Sequence, residues 1–152
     1  MKTIITATAV ALLVLFIACS GEPAFIKTSG GMEYKIIRLN DGDPPLQGEY
    51  LKLQVKQAYN DSVLYDTRNG MPQYQVFDST EMSAQALEIF SRVSVGDSVV
   101  FRVISDSAFK TSKPPFVKQR GWLYTYVKVL AILKNEAQLK TDMDLEKGEI
   151  KN

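Results

Sequence analysis

Few side chains in this chain of 152 residues can do covalent or metal chemistry. It contains one cysteine, Cys19, and no histidine. Histidine is the usual general base near neutral pH, and together with cysteine it supplies most zinc ligands and activated nucleophiles. We therefore expect no metal and no cofactor, and any catalysis must work without these groups.

Cys19 follows a segment that is typical of an export signal. Lys2 precedes an apolar run of roughly 15 residues, Ile4 to Ala18, whereas a membrane-spanning helix needs about 20. The tetrapeptide Phe16-Ile17-Ala18-Cys19 resembles the lipobox that bacteria cleave before a lipid-modified cysteine, with Phe16 where leucine is commoner. We predict a signal peptide over residues 1–18 and acyl chains on Cys19 that anchor the protein in a membrane. An ordinary secretory signal with a chance free thiol and an uncleaved anchor are the alternatives.

Length and charge restrict what the exported chain can be. Removing residues 1–18 from 152 leaves 134 residues, enough for one domain with a core. The formal net charge is +1, and it becomes 0 without Lys2, so no global field favours nucleic acid. We expect one domain and no nucleic-acid partner.

Period-two alternation of apolar and polar residues predicts most of the fold. The predicted strands are Met32 to Ile36, Leu51 to Val55, Gln73 to Phe77, Val99 to Val103 and Gly121 to Leu133. One segment, Thr80 to Arg92, instead has helical spacing, with Asp78 and Glu81 as a capping box. Val95-Gly96-Asp97 then reverses the chain. The expected fold class is α+β, a twisted antiparallel sheet wrapping one amphipathic helix.

The segments on either side of this domain differ in composition. Residues 19–31 hold the cysteine and two polar or glycine-rich clusters, which predicts a flexible tether. The folded domain is expected over residues 32–134. Residues 135–152 are mostly charged and polar, with too few apolar residues for a core, so we expect a frayed helix or disorder.

Short motifs in a fixed order carry a resemblance to a known family. They are Thr28 to Ile37 with its Ser-Gly pair and Tyr-Lys, Tyr65-Asp66-Thr67, Val93-Ser94-Val95-Gly96-Asp97, Ser105 to Phe109, and Leu123 to Ile132. In their order and spacing, residues 28–134 resemble an FKBP-type peptidyl-prolyl cis-trans isomerase in its bacterial lipoprotein form. The resemblance implies an FKBP-like fold and an isomerase of the cell envelope. We expect it to be lipid-anchored in the outer membrane and to face the periplasm, with an inner-membrane or a surface-exposed location as the alternatives. Its partners would be proline-containing exported polypeptides.

The resemblance also implies a mechanism and a set of site residues. Rotating an X-Pro amide past its barrier of about 18 to 20 kcal/mol requires loss of resonance rather than a nucleophile, and an apolar pocket favours the twisted amide. By motif position, Tyr65 and Phe109 would be catalytic pocket walls and Asp66 a buried catalytic carboxylate. The same comparison of motifs makes Met82, Ala86, Val55, Tyr124 and Tyr126 substrate-binding residues.

Departures from the family pattern keep other functions open. Ala86 stands where the family has a pocket-floor tryptophan, Val55 or Gln54 where it has a tyrosine, and Thr125 where it has a phenylalanine. These changes favour a catalytically inactive peptide-binding or scaffolding lipoprotein as the alternative. A structural lipoprotein, with the pocket filled by core side chains, is a third possibility that an open pocket would argue against.

Each predicted site residue also has a structural interpretation. Tyr65 and Phe109 can be ordinary core aromatics, and Met82 can fill the helix face. Asp66 can cap a turn ahead of Thr67 and Arg68. The basic, proline-containing loop from Lys110 to Gly121 is expected to overhang the pocket and to select substrates, or else to be a solvated connection.

Overall fold

The computed structural model describes residues 21–39, 41–60, 62–109, 114–118 and 120–150. The strands are β1 (Ile26–Lys27), β2 (Glu33–Ile37), β3 (Tyr50–Tyr59), β4 (Ser62–Asp66), β5 (Gln73–Val76), β6 (Ser98–Ile104) and β7 (Trp122–Leu133). The helices are α1 (Ala84–Phe90), α2 (Ser105–Ala108) and α3 (Glu136–Ile150).

All strand pairs in the described part of the chain are antiparallel and belong to one sheet. The strand order is β1-β2-β6-β7-β3-β4. Along the same edge of β3, β4 pairs with the end of the strand, Lys56 to Tyr59, and β5 pairs with its beginning, Tyr50 to Leu53. The two longest strands, β3 and β7, lie side by side along their whole length, from Tyr50 opposite Leu133 to Tyr59 opposite Leu123. The predicted α+β class with an antiparallel sheet is confirmed.

The core lies between α1 and one face of the sheet, which we call the inner face. Tyr34, Leu51, Val99 and Val129 point to it and are fully buried, together with Ile89 from the helix. Successive residues of a strand point to opposite sides of the sheet. The residues that alternate with the buried ones along each strand therefore form the opposite face, which we call the outer face. Transfer of each large apolar side chain from water to this core contributes roughly 1.5 to 3 kcal/mol.

The helix over the inner face is shorter than predicted. It begins at Ala84 rather than Thr80, and Ser83 is its N-cap, accepting a hydrogen bond from the Ala86 amide over 3.2 Å. The predicted capping box was wrong, because Asp78 accepts from the amide and the hydroxyl of Thr80 instead. Such short local bonds of aspartate stabilise a turn and compete with helix formation.

The predicted reversal after the helix is present and holds a buried carboxylate. Gly96 has φ of +95°, a conformation that glycine adopts without steric cost. Asp97 is fully buried and accepts hydrogen bonds from the amides of Leu39 and Ser94 and from the Ser94 hydroxyl. This carboxylate therefore ties the turn to the chain that follows β2.

The folded part of the chain extends beyond the predicted domain at both ends. β1 pairs with β2 although it lies in the segment predicted as a tether, while Cys19 and the predicted signal peptide are outside the described residues. At the other end, the segment predicted as a frayed helix or disorder forms the helix α3.

Charged contacts rather than apolar burial hold α3 against the sheet. Asp142 pairs with Lys52 over 2.8 Å and accepts from the Tyr74 hydroxyl over 2.6 Å, and Glu146 also pairs with Lys52. No described residue of α3 is fully buried. Composition correctly predicted that this segment has no core of its own, but it did not indicate the two side chains of the sheet, Lys52 and Tyr74, that hold the helix. Within residues 21–150 as described, no helix is long and apolar enough to cross a membrane.

Candidate functional site

A cavity of about 550 Å³ opens between α1 and the inner face; we call it the inner cavity. Its floor is apolar, and its rim carries amide, hydroxyl and carboxylate groups. The floor consists of Leu53, Val55, Met82, Ala86, Phe90, Phe101 and Val127. The rim consists of Gln57, Tyr65, Gln73, Tyr74, Gln75, Glu81, Ser83 and Thr125. Apolar floors with a few polar groups at the mouth are typical of small-molecule and peptide sites.

Strand register brings the residues of the cavity mouth together. Alternation along β3 directs Leu53, Val55 and Gln57 to the inner face. Gln57 lies opposite Tyr65 of β4 on one side and opposite Thr125 of β7 on the other. Thr125 in turn lies opposite Phe101 of β6. Four strands therefore place one row of side chains across the inner cavity, from Tyr65 at the mouth to Phe101 on the floor.

Tyr65 presents a polar group at this mouth. Its side chain is 44% exposed, and its phenolic oxygen accepts a hydrogen bond from the Gln73 side-chain amide over 3.1 Å. A tyrosine hydroxyl can accept and donate at the same time. The bond from Gln73 therefore fixes the oxygen while the hydroxyl hydrogen can still be donated to a bound carbonyl group.

Asp66 lies on the other side of the sheet. It is opposite Lys56 of β3, and both of its carboxylate oxygens accept from Arg68: from the amide over 2.9 Å and from the guanidinium over 2.8 and 2.6 Å. The hydrogen bond from the Arg68 side chain, helped by the one from its amide, lowers the pKa of Asp66. The geometry matches the turn-capping interpretation and differs from the predicted carboxylate inside the pocket.

The predicted tyrosines of the closing strand also point away from the inner cavity. Tyr124 and Tyr126 stack on the outer face with ring centroids 6.2 Å apart, and Phe25 lies 6.4 Å from Tyr124. Thr125, between them, is the residue of this stretch that reaches the cavity. The cause is the alternation of a strand, which cannot direct both a residue and its neighbour to one face.

Phe109 belongs to a second apolar cluster rather than to the cavity wall. It packs against Tyr59, Val117 and Leu123 at the end of the sheet where α2 lies. The structure thus brings Tyr65, Val55, Met82 and Ala86 together in the inner cavity and places Asp66, Phe109, Tyr124 and Tyr126 elsewhere.

Several cavity residues were missed from the sequence. Phe90 and Phe101 supply aromatic surface to the floor, and Gln57, Gln73 and Gln75 supply amides to the rim. Gln57 continues the alternation of Leu53 and Val55, and Phe101 lies on a predicted strand, so both could have been assigned to the inner face. The glutamines carry no motif, because an amide that contacts a peptide looks the same in sequence as one that faces water.

The cavity is close to neutral. Glu81 is the one charged residue among the described residues that line it. The described residues also contain no group of three or more acidic, cysteine or histidine side chains that could hold a metal ion. The chemistry available here is apolar burial plus hydrogen bonding by hydroxyl and amide groups.

The loop before β7 is anchored at Lys118 through both its amide and its carbonyl group. The Lys118 amide donates to the Tyr59 hydroxyl over 2.9 Å, and the Ser105 hydroxyl donates to the Lys118 carbonyl over 2.9 Å. Residues 110–113 and 119 are outside the described residues. The predicted overhang of the pocket by this loop therefore stays a prediction.

Comparison with known proteins identifies the fold. No protein-family model matches the sequence, and no curated protein matches it. FkpA from Escherichia coli is similar in structure, with a TM-score of 0.51, 14% identity and 72% of this chain covered. The match spans about half of the FkpA chain, 51%.

A peptidyl-prolyl cis-trans isomerase from Pseudomonas syringae pv. tomato gives the same TM-score, 0.51, at 13% identity, covering 74% of this chain and 84% of that one. Both structures are FKBP-type peptidyl-prolyl isomerases. The FKBP-like fold predicted from the motifs is therefore confirmed.

Proposed function

We propose that the protein is a peptidyl-prolyl cis-trans isomerase, held at the cell envelope by lipid on Cys19, that assists the folding of exported proteins. The observation that carries the catalytic part is the inner cavity, an open space of about 550 Å³ with an apolar floor in an FKBP-like fold. The envelope location rests on the signal and lipobox pattern of residues 1–19.

The floor of the inner cavity suits a prolyl ring. Phe90 and Phe101 meet there with centroids 6.3 Å apart, and Val55, Met82 and Ala86 complete the apolar surface. Twisting the X-Pro amide lowers its polarity, so an apolar surround stabilises the twisted amide relative to the planar one. The cavity would lower the barrier by this difference in solvation.

Tyr65 is the group we assign to the substrate carbonyl. Gln73 holds its oxygen from one side, which leaves the hydroxyl hydrogen for a carbonyl at the mouth. A hydrogen bond of this kind contributes about 0.5 to 1.5 kcal/mol net. In this proposal Tyr65 takes the polar function that the family resemblance implied for Asp66.

The competing function is a binding module that grips peptides without isomerising them. The glutamine side chains at the rim favour it, because Gln57, Gln73 and Gln75 can hydrogen-bond an extended peptide backbone. Ala86 and Thr125, where the resemblance implies larger aromatic residues, favour it as well. Both functions use the same cavity, so a rate measurement must separate them.

The deciding experiment measures cis-trans isomerisation of Ala-X-Pro-Phe peptides by the full chain. We expect acceleration over the spontaneous rate, and we expect Met82→Lys to reduce it at least several-fold, because a charge on the floor disfavours an apolar ring. Leu39→Lys is the matched control, since Leu39 is 71% exposed and does not line the inner cavity. Folded protein that binds these peptides without acceleration would move the conclusion to the binding module.

A further inference from the structure

Aromatic and cationic side chains share the outer face of the sheet. Trp122, Tyr124 and Tyr126 alternate along β7, and the Arg102 guanidinium lies 4.4 Å from the centroid of Trp122 and 4.0 Å from that of Phe25. Tyrosine and tryptophan rings collect at membrane surfaces because one end of each ring is apolar and the other polar. This face therefore has the composition of a surface that meets lipid headgroups.

A groove of about 310 Å³ runs beside Tyr126 on this face; we call it the outer groove. Ile37, Val100 and Tyr126 form its apolar bottom, and Lys56, Arg68 and Lys128 bring cations to its rim. Arg68 is committed to Asp66. Lys56 lies opposite Asp66, and its charge adds a small part to the lowered pKa of that carboxyl, whose hydrogen bonds come from Arg68.

Carboxylates of the same face have cationic partners. Glu33 pairs with Arg102, Asp66 with Arg68, and Glu22 with Lys35. Asp142 and Glu146 of α3 share one cation, Lys52, which alternates with Lys56 on this face. Pairing with a cation weakens the repulsion that a carboxylate exerts on an anionic ligand. At the outer groove itself, the lysines are the charges that an anion would meet.

The N-terminal segment reaches this face and not the inner cavity. Glu22 pairs with Lys35, and Phe25 lies between Lys35, 5.0 Å from its ring, and Tyr124. Cys19 precedes Glu22 by three residues, a length of chain that spans at most about 11 Å. A lipid on Cys19 would hold the outer face within that distance of the bilayer.

We propose that the outer face is the membrane-facing side of the protein and that the outer groove binds the phosphate of anionic phospholipid headgroups, between Lys56 and Lys128. This rests on the lipid anchor of the proposed function. The phosphate would lie against the lysines, and the glycerol backbone would contact the apolar bottom of the groove. The inner cavity, on the opposite side of the sheet, then opens away from the membrane.

Trp122 reports on this arrangement, because it is the only tryptophan in the chain. The full chain, produced in a bacterial host and with its lipid confirmed by mass spectrometry, is reconstituted in phosphatidylethanolamine vesicles that contain brominated lipid, with and without phosphatidylglycerol. We expect quenching of Trp122 fluorescence that increases with phosphatidylglycerol and decreases with salt. Each lysine near an anionic surface is expected to favour docking about fivefold.

The variant Lys56→Gln/Lys128→Gln removes two positive charges from the outer groove and should lose most of the quenching of Trp122 fluorescence. Arg92→Glu changes the net charge by the same amount at the end of α1, where the guanidinium lies 3.4 Å from the Tyr34 hydroxyl. This control should quench like the unaltered protein. Headgroup binding by the groove would be overturned if the double variant and the Arg92→Glu control lost equal amounts of quenching. It would also be overturned if quenching did not depend on phosphatidylglycerol or on the two lysines.

The remaining outcomes separate this proposal from the isomerase. If Trp122 of the lipidated protein is not quenched, the outer face does not meet the membrane and the proposal is overturned. Binding of another protein would then be the alternative function of that face. Isomerase activity, measured on the same preparation in detergent, does not depend on either result. A Cys19 without lipid would overturn both the membrane-facing surface and the envelope anchor, and leave the isomerase test standing.

Discussion

The side-chain amide of Gln73 donates a hydrogen bond to the phenolic oxygen of Tyr65 over 3.1 Å, across the mouth of the inner cavity. The bond orients a hydroxyl that the sequence alone would leave free to rotate. Because Tyr65 is 44% exposed, the hydroxyl is also open to a ligand from solvent. A preorganised donor of this kind needs no movement when a carbonyl group binds.

Replacing Tyr65 by phenylalanine should therefore slow isomerisation without changing the fold. We expect kcat/KM for an Ala-X-Pro-Phe peptide to fall roughly 2- to 12-fold, the equivalent of one net hydrogen bond. Tyr126→Phe is the matched control, because it removes the same hydroxyl from the outer face. Equal rates for Tyr65→Phe and the unaltered protein would remove Tyr65 from the mechanism.

Asp66→Asn should leave the isomerase rate nearly unchanged. The carboxylate is bound to Arg68 on the outer side of the sheet, where it does not line the inner cavity. Loss of the ion pair is expected to lower stability slightly, which chemical denaturation would measure alongside peptide kinetics. A large fall in rate at unchanged stability would restore the catalytic carboxylate implied by the family resemblance.

The contact between Lys52 and Asp142 predicts how stability depends on pH. Burial opposes ionisation of Asp142, but the hydrogen bonds from Lys52 and Tyr74 outweigh it and lower the pKa of Asp142 below its ordinary 3.8. A carboxyl group whose pKa is lower in the folded protein stabilises the fold at pH values above its pKa in the unfolded chain. This stabilisation is lost as the pH falls through the pKa of the group in the folded protein. The contribution of Asp142 should be constant at pH 5 to 9 and decrease below about pH 4.

Asp142→Asn tests this dependence. The variant should be less stable than the unaltered protein by about 1 to 2 kcal/mol at pH 7, and the difference should shrink in acid, as urea denaturation at several pH values would reveal. Burial also raises the pKa of Tyr74, aided by Asp142, so the hydroxyl stays neutral and its stabilisation is lost only when pH rises above about 10. A stability difference that stays the same at pH 3 and pH 7 would contradict the role of the charge.

Gly121→Ala should destabilise the protein because of a close approach to Tyr59. An added Cβ would lie 2.2 Å from the Tyr59 hydroxyl, which also anchors the Lys118 amide. Overpacking of this kind costs about 1 to 3 kcal/mol. Gly70→Ala is the control, since no atom lies within 4 Å of its added Cβ, and thermal unfolding of the two variants compares them directly. Equal melting temperatures would show that the Tyr59 ring moves aside freely.

The sequence predicted the β-sheet well and the faces of its strands less well. Apolar alternation identified β2, β3, β6 and β7, and Gly96 marked the turn after α1, because burial on one face leaves a clear period of two. The segment from Ser62 to Asp66 was not recognised as a strand. Had it been, the alternation would have placed Tyr65 and Asp66 on opposite faces and excluded Asp66 from the cavity.

Two features depended on long-range contacts that composition does not contain. α3 is charged and has no fully buried residue among those described, so its stability depends on Lys52 and Tyr74, which lie far away in sequence. Phe109 lies in the second cluster because α2 and Val117 enclose it there, while its motif indicated the pocket. Local patterns report burial, but they do not report which of two apolar clusters a residue joins.

The position of β7 in the sheet has a consequence for synthesis of the chain. This strand lies between β3 and β6, yet among the strands of the described residues it is the one synthesised last, ending at Leu133. Because the chain is synthesised from its N terminus, β3 and β6 each have an unpaired edge until β7 has been made. The pairing of β3 with β7 joins distant parts of the chain, and such nonlocal pairing is slow. Completion of the sheet has to await the synthesis of residues 122–133, so a shortened product that ends before residue 122 would expose two strand edges and associate with other chains.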